Sequence, residues 1–391
     1  MSMNKQAFVS TLGESYKSPP WLEPLLNTIQ ITLDTLPIPK LTNTLQKHTQ
    51  MSTVLLTGVN GFVAATILKK LLERGHTVVG TVRSESKTTF LREQFKAAVD
   101  SDNLKFAVVE DITVPGAFDE VLRAYQFDVV LHTSSPFHYN ITDIDKELLQ
   151  PAIQGTVGIL DSVHRVAPSV KRVVVTSSFA SVVDRGKGTR PGKVYTEADW
   201  NPTDREEGLK DIGSGYFASK KLAEQAAWDF VKEKNPSFTL TALCPPMVFG
   251  PPEQEVPSMA KVNTSNLDIY DIFNGTSDPR YGVWIWVDVR DLAEAHILAM
   301  DSAVAANQRY IVSQGNYSPQ MFVDYIWKHY PERAAARGIN KHTPGKYYPD
   351  EGVYGVDASK SIKELGMKYM PIEDMLRDTL KRFEYLEAEG K

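Results

Sequence analysis

The stretch 54–62 reads Val54-Leu55-Leu56-Thr57-Gly58-Val59-Asn60-Gly61-Phe62, an apolar run that passes directly into a glycine turn. The run predicts a buried strand, and the pattern over Phe62–Glu73 predicts the helix that follows it. Gly58 permits a tight turn between the two, and Gly61 lets the backbone approach a pyrophosphate at the positive end of the helix. The alternative is an ordinary strand-to-helix turn, because the spacing G-x-x-G-x-x-A, completed by Ala64, is weak evidence by itself.

Further apolar runs alternate with helical patterns along the chain. The predicted strands are Thr77–Val82, 106–109, Val129–His132, 173–176 and 239–243, and the predicted helices include 145–166 and 216–232. Strands that alternate with helices of this length predict an α/β fold with a doubly wound parallel sheet, a Rossmann fold. Such sheets bind their ligands at the carboxyl ends of the strands, which is where each motif described below lies.

The sequence outside the main sheet predicts a second lobe and an N-terminal extension. The main sheet is expected to occupy residues 51–245, with 281–305 returning to it as a strand and a helix. Residues 246–280 are rich in loop-forming residues, and residues 306–391 end in a helix; together they predict a smaller C-terminal α/β lobe that binds substrate. Residues 1–50 contain five prolines and no arginine, so we expect a dispensable extension or a tail that packs on the main body.

The composition argues against several classes of function. The net charge is −5, so the chain lacks the basic surface typical of nucleic-acid binding. A single cysteine, Cys244, excludes an internal disulfide and fits a reducing, cytoplasmic compartment. The 8 histidines are scattered without metal-ligand spacing, and the longest apolar runs are strand-sized. We therefore expect neither a metal site nor a membrane span.

The end of the second predicted strand indicates which dinucleotide binds. An NAD site usually carries Asp or Glu there for the ribose hydroxyls, but this strand ends in Arg83, with Lys87 close behind. A guanidinium suits a 2′-phosphate, so the pattern favours NADP(H). The alternative is a pair of solvated surface charges.

Two residues at other strand ends have open roles. Asp111 follows the third strand, where its carboxylate can accept from an adenine amino group or simply cap a turn. His132 ends the fourth strand, and we interpret it as a packed structural histidine, with the backbone after it lining the cofactor.

Tyr216 and Lys220 lie four residues apart in a predicted helix and therefore share a face. A nearby ammonium favours the phenolate, so we expect Lys220 to lower the tyrosine pKa from about 10 toward the working pH. Tyr216 can then donate its proton to the alkoxide that forms when hydride reaches a carbonyl. Ser178, just beyond the strand 173–176, offers a hydroxyl that orients the substrate oxygen. In isolation the pair would be read as surface residues of an amphipathic helix.

From Met51 to the final helix, the chain resembles the extended short-chain dehydrogenase/reductase superfamily, in its dihydroflavonol-4-reductase-like branch. It is most similar there to fungal NADPH-dependent aldehyde and ketone reductases of the methylglyoxal reductase type. The resemblance rests on the glycine turn, Gly80-Thr81-Val82-Arg83, His132-Thr133-Ser134-Ser135-Pro136-Phe137, Val175-Thr176-Ser177-Ser178, Tyr216-Phe217-Ala218-Ser219-Lys220, Pro245-Pro246-Met247-Val248-Phe249-Gly250 and Trp286-Val287-Asp288-Val289-Arg290-Asp291.

The resemblance implies a role for each of these segments. The catalytic residues would be Ser178, Tyr216 and Lys220. The NADPH contacts would come from Gly58, Gly61, Phe62, Val63, Arg83, Lys87, Asp111, Ile112, Thr133, Tyr216, Lys220, Pro245 and Val248. Phe137 and Phe179 would be aromatic walls of the substrate pocket, or plain core packing. The resemblance also implies that the substrate is a small-molecule carbonyl compound and that the protein is a monomer or a homodimer.

The chain departs from its relatives' motifs at two places, which limits the range of expected substrates. Two other functions stay open. Residues 181–184 lack the asparagine of plant flavonoid reductases, and residues 213–216 lack the aromatic run of cinnamoyl-CoA reductases, so neither substrate is expected. A nucleotide-sugar epimerase or dehydratase with retained NAD uses the same scaffold, although Arg83 argues against it. A non-catalytic dinucleotide-binding regulator would commonly have lost Tyr216 or Lys220.

Overall fold

The structure is a computed structural model and describes residues 51–135 and 141–391. The predicted extension 1–50 and the predicted pocket residue Phe137 therefore lie outside the described residues. The strands, numbered in chain order, are β1 (Thr53–Thr57), β2 (Thr77–Val82), β3 (Leu104–Val108), β4 (Val129–His132), β5 (Arg172–Thr176), β6 (Val194–Tyr195), β7 (Thr239–Cys244), β8 (Met247–Phe249), β9 (Ile285–Asp288), β10 (Gln308–Ile311), β11 (Gly315–Asn316) and β12 (Gly355–Val356).

The helices are numbered in the same way. They are α1 (Phe62–Glu73), α2 (Thr89–Gln94), α3 (Lys96–Asp100), α4 (Asp119–Ala124), α5 (Gln150–Val166), α6 (Arg205–Gly208), α7 (Ile212–Lys234), α8 (Thr264–Phe273), α9 (Val289–Asp301), α10 (Pro319–His329), α11 (Pro331–Ala336) and α12 (Ile372–Ala388). A π-helical turn over Asp145–Leu149 leads directly into α5, so the predicted helix 145–166 is present at its full length. None of the described helices is long and apolar enough to cross a bilayer.

Seven parallel strands form the main sheet in the order β10-β7-β5-β4-β1-β2-β3. The chain runs outward from β1 to β3, then returns to the other side of β1 to begin β4. Because the strand order reverses between β1 and β4, their carboxyl ends border the crevice where doubly wound sheets bind ligands. The predicted Rossmann fold is confirmed.

Helices cover both faces of this sheet, which is why its strands are almost continuously apolar. One core joins α1 and α9 to the sheet through Leu68 and Leu292, and the opposite core joins α5 and α7 through Leu160 and Phe230. The two layers leave the strand ends, and the loops that follow them, as the accessible part of the sheet.

A second group of elements follows the main sheet. Strands β8, β9 and β11 form a three-stranded sheet, and a separate core contains Phe249, Phe322 and Phe383. The segment 281–305, predicted to return to the main sheet, is divided: α9 packs against the main sheet, whereas β9 pairs with β8 and β11. An apolar strand pattern predicts a strand but does not identify the partner that the strand pairs with.

Candidate active site

The glycine turn after β1 has the geometry of a phosphate-binding loop. Gly58 has φ +67°, and a Cβ on it would lie 2.6 Å from Ser134 Oγ, so both backbone conformation and space require glycine. The Gly61 N–H donates to Gly58 O at 2.9 Å, and Gly61 precedes α1 without a side-chain cap. The first turn of α1 also contains no acidic residue. The amides of Phe62 and Val63 thus begin a helix whose positive end is open to an anion.

The end of β2 presents the two predicted cations to solvent. Arg83 and Lys87 are both exposed. A cavity of about 230 Å³ beside Lys87 is lined by Asn60, Lys87, Phe90, Leu91, Glu255, Pro257 and Lys261. Lys261 was not predicted from the sequence, because it lies in a short 3₁₀ turn more than 170 positions from Lys87. The cavity shows that this 3₁₀ turn approaches the glycine turn.

Asp111 makes the contacts of a turn cap. Its Oδ1 accepts from the Thr113 amide at 2.9 Å and from the Thr113 hydroxyl at 2.7 Å. These hydrogen bonds, with a smaller contribution from the charge of Arg83, lower the pKa of Asp111 below its usual value. The capping alternative describes this geometry; the predicted adenine contact of Asp111 and Ile112 stays a prediction.

The end of β4 is tied to the glycine turn by Thr57. Its hydroxyl lies 3.0 Å from His132 Nδ1 and accepts from the amides of Thr133 and Ser134 at 3.1 Å each. Burial, with a smaller contribution from the charge of Lys220, lowers the pKa of His132 to about 4. A neutral, packed histidine cannot serve as an acid near neutral pH, in agreement with the structural interpretation.

Helix α7 carries Tyr216 and Lys220 toward the same strand ends. It begins four residues before the predicted start, because Asp211 caps it by accepting from the Ser214 amide. Lys220 Nζ lies 5.7 Å from the centre of the Tyr216 ring and donates to Ser135 Oγ at 3.1 Å. Burial lowers the pKa of the Lys220 ammonium to about 8.

Ser178 also contacts Tyr216. The two side chains share a hydrogen bond, and Ser178 Oγ also accepts from the Ala180 amide at 3.1 Å. The amide contact occupies an acceptor position of the serine oxygen, so its hydroxyl proton stays available for donation. The three predicted catalytic residues therefore lie together at the carboxyl ends of β4 and β5.

The predicted direction of the tyrosine pKa shift is wrong for this structure. Burial raises the pKa of Tyr216 above its ordinary value, and the hydrogen bond with Ser178 lowers it by less. Lys220 instead directs its ammonium to Ser135. Desolvation of the phenol is the larger effect, so Tyr216 is held in its neutral, proton-carrying form.

Pro245, Val248 and Phe179 are the remaining predicted residues that the structure describes after β5. Pro245 O accepts from the Phe179 amide at 2.8 Å, and Val248 lies in β8. The Phe179 side chain is 2% exposed and packs against the rings of Tyr195 and Tyr354. Core packing, the alternative to a pocket wall, describes its position.

Several polar residues of the site were missed from the sequence. Ser135 lies in the motif already noted after β4, and Glu224 lies one helical turn beyond Lys220, where a search along the helix face could have found it. Arg309, which pairs with Glu224 at 2.6 Å, lies 85 positions away and has no local signal. His296 Nε2 lies 2.7 Å from Thr176 Oγ1 and is 120 positions away from it in the sequence.

Comparison with known proteins gives a consistent result. A family model described as the NAD dependent epimerase/dehydratase family matches residues 54–313. A putative NADPH-dependent methylglyoxal reductase of Candida albicans is 43% identical over 285 residues, 72% of this chain and 84% of the relative. The NADPH-dependent methylglyoxal reductase of Saccharomyces cerevisiae is 35% identical over 347 residues, 86% of this chain and 99% of the relative.

Solved structures agree with the sequence relatives. The yeast methylglyoxal/isovaleraldehyde reductase complexed with NADPH superposes with a TM-score of 0.77 at 34% identity, covering 86% of this chain and 99% of that one. Vestitone reductase from alfalfa superposes with a TM-score of 0.66 at 26% identity, covering 85% and 98%.

Proposed function

We propose, from the premise that this chain belongs to the NAD dependent epimerase/dehydratase family of extended short-chain dehydrogenases/reductases, that it reduces a small aldehyde or ketone with Tyr216 as the proton donor. It is an NADPH-dependent oxidoreductase that reduces carbonyl groups, in keeping with the names of its relatives. Methylglyoxal, which appears in the names of two relatives, is the first substrate to examine.

The residues present fit NADPH. The uncapped start of α1 and the glycine at φ +67° leave room and positive potential for a pyrophosphate. Arg83 and Lys87 stand at the end of β2, where an NAD site usually has a carboxylate. We propose these contacts for the cofactor: Gly58, Gly61, Phe62 and Val63 with the pyrophosphate, Arg83 and Lys87 with the 2′-phosphate, Asp111 and Ile112 with the adenine, and Thr133, Lys220, Pro245 and Val248 around the nicotinamide nucleoside.

The chemistry divides between cofactor and chain. NADPH, when bound, supplies a hydride to the carbonyl carbon. Ser178 holds the carbonyl oxygen through its hydroxyl, and Tyr216 gives its phenolic proton to the same oxygen, so that an alcohol forms. Lys220, 5.7 Å from the ring, stabilises the phenolate that remains on Tyr216.

One observation carries this proposal. Ser178 lies in the turn after β5 and Tyr216 lies in α7, yet their side chains share a hydrogen bond beside the Lys220 ammonium. A surface tyrosine on an amphipathic helix would not share a hydrogen bond with a serine that follows a strand of the main sheet. The pairing supplies an oriented donor and a proton on the same side of the crevice.

The substrate is expected to lie between the crevice and the second group of elements. We propose that residues 246–280 and 306–391 recognise it, because their core around Phe249 and Phe322 is separate from those of the main sheet. Loops on such a lobe can change shape without disturbing the sheet that holds the catalytic residues.

The test is NADPH oxidation by the purified protein with a panel of methylglyoxal, isovaleraldehyde and other small aldehydes and ketones. We expect turnover with at least one compound, and a loss of roughly 10²–10⁴-fold in kcat for Tyr216→Phe. Tyr385→Phe removes an exposed phenol on α12 and serves as the matched control, with unchanged kcat.

The alternatives give different results in the same assay. A Tyr216→Phe variant as fast as the unmodified protein would show that another group is the proton donor. Tightly bound NAD without NADPH oxidation would favour an epimerase or dehydratase. Nucleotide binding without turnover of any carbonyl compound would favour a regulator.

A further inference from the structure

A buried ion pair lies directly behind the catalytic serine. Glu224 and Arg309 are 1% and 8% exposed at their side chains, and Arg309 Nε donates to Glu224 Oε1 at 2.6 Å. Arg309 also donates to the backbone oxygens of Glu197 and Asp199 and stacks 3.8 Å from the centre of the Trp200 ring. Every side of the guanidinium is thus occupied, as a buried charge requires.

The same carboxylate holds the serines on both sides of Ser178. Ser177 Oγ donates to Glu224 Oε2 at 2.5 Å, and Ser181 Oγ lies 2.7 Å from that oxygen. Arg309 further donates to Ser181 Oγ at 2.8 Å. Residues 176–181, which we call the serine segment, are therefore bound to the ion pair at two points that bracket Ser178.

Glu224 also belongs to the helix that carries the proton donor. It lies eight residues beyond Tyr216 and four beyond Lys220 in α7, on the same face of the helix. A single carboxylate consequently links the element that bears Ser178 to the element that bears Tyr216. Asn201 adds a second link, since its side-chain amide donates to Ala180 O at 2.5 Å and Phe217 O at 3.0 Å.

We propose that Glu224, held by Arg309, is a positioning residue that fixes the Ser178 hydroxyl relative to the Tyr216 phenol by binding Ser177 and Ser181. The proposal rests on the catalytic roles proposed above. Its physical basis is that proton transfer and carbonyl orientation demand atoms placed to within a fraction of an ångström, and a misplacement of about 1 Å can cost about 100-fold in rate.

The first measurement separates rate from binding. Ser177→Ala removes one bond to the carboxylate, and we expect kcat to fall about tenfold, and about 100-fold for Ser177→Ala combined with Ser181→Ala. The Kd for NADPH and the melting temperature should change little, since Arg309 still neutralises Glu224. Trp228→Phe is the matched control: Trp228 Nε1 donates to Glu224 Oε1 at 3.3 Å, a bond in which the serine segment takes no part.

The second measurement is a double-mutant cycle with Ser178→Ala. If Ser177 acts only through Ser178, adding Ser177→Ala to Ser178→Ala causes no further loss of kcat. Losses that multiply would show that Ser177 acts on folding or on another part of the site, and would overturn the proposal. A Ser177→Ala/Ser181→Ala variant with normal kcat would overturn it as well.

The same experiments distinguish the two proposals. If the unmodified protein reduces carbonyl compounds and Ser178→Ala is impaired while the Ser177 and Ser181 variants are not, only the positioning role of Glu224 fails. If Ser178→Ala and Tyr216→Phe retain full activity, the proposed catalytic roles fail first. Glu224→Gln keeps a hydrogen-bonding group but leaves Arg309 unpaired, so we expect it to lower kcat and the melting temperature together.

Discussion

The two ends of the crevice are built in opposite ways. At the proposed catalytic end, Ser178 shares a hydrogen bond with Tyr216, and Ser177 and Ser181 on either side of it are bound to the buried ion pair of Glu224 and Arg309. At the adenosine end, where the 2′-phosphate is expected, the corresponding group is an exposed arginine on a strand end. The difference follows from the tasks: proton transfer needs a fixed geometry, whereas attraction of a phosphate acts over distance and tolerates mobile side chains.

The largest difference between the two ends is expected in the free energy of unfolding, when one positive charge is removed at each end. Arg309→Met leaves the Glu224 carboxylate buried without its cation, and we expect a loss of about 3–5 kcal/mol in the free energy of unfolding. Arg83→Met, the matched change at the adenosine end, should stay within about 0.5 kcal/mol because the side chain is exposed. Urea denaturation of both variants measures this. Equal stabilities would contradict the contrast between the two ends.

The affinity for the cofactor should respond in the opposite way, with the larger effect at the adenosine end. For Arg83→Ala combined with Lys87→Ala, we expect the NADPH Kd to rise roughly 100-fold, about 2.7 kcal/mol, with little change for NADH, which lacks the 2′-phosphate. Titration calorimetry with both nucleotides gives the ratio. An equal loss for NADH would mean that the two cations act on another part of the dinucleotide.

The catalytic end should also impose a pH limit. Lys220, with its pKa lowered to about 8, is charged below that pH and neutral above it, whereas the raised pKa of Tyr216 keeps the phenol protonated in this range. We expect kcat/KM to fall about tenfold per pH unit above about pH 8. Lys220→Arg keeps the positive charge, so the alkaline fall should move upward. A profile that is flat to pH 10 would exclude Lys220 as the titrating group.

Ionic strength should produce the smallest difference between the two ends. Between about 0.01 M and about 1 M ionic strength the Debye length falls from about 30 Å to about 3 Å, and we expect the NADPH Kd to rise roughly threefold. The exposed cations lose attraction, while the buried pair is screened much less, so the melting temperature should hardly change. A melting temperature that followed the Kd would indicate that the ion pair is open to solvent.

The cofactor end was also the easier one to predict. Helix α1 and strands β2 and β4 lie at their predicted bounds, because the apolar pattern of each element, and Gly75 just after α1, are local signals. Arg83 and the glycine turn sit at strand ends, and parallel strands bring those ends to one edge. Position in the sequence was therefore enough to place them.

The catalytic end was predicted only in part, because its support comes from distant residues. Tyr216 and Lys220 share a helix, but Glu224 meets Arg309 across 85 positions, and no pattern in either segment indicates the pairing. The sign of the tyrosine pKa shift was wrong for the same reason, since burial depends on neighbours that only the fold supplies. Strand β9 shows the limit at the level of the sheet: its apolar run did not reveal that its partner is β8.

The position of Arg309 on β10 has a consequence for the order in which the protein is made. A ribosome that has reached Ser302 has already synthesised Ser178, Tyr216 and Glu224, but not the strand that carries the cation. Until β10 is translated and pairs with β7, the nascent chain contains the Glu224 carboxylate without the cation that offsets the free-energy cost of burying it. A chain that ended before β10 would therefore contain Ser178, Tyr216 and Glu224 but lack the cation that pairs with Glu224.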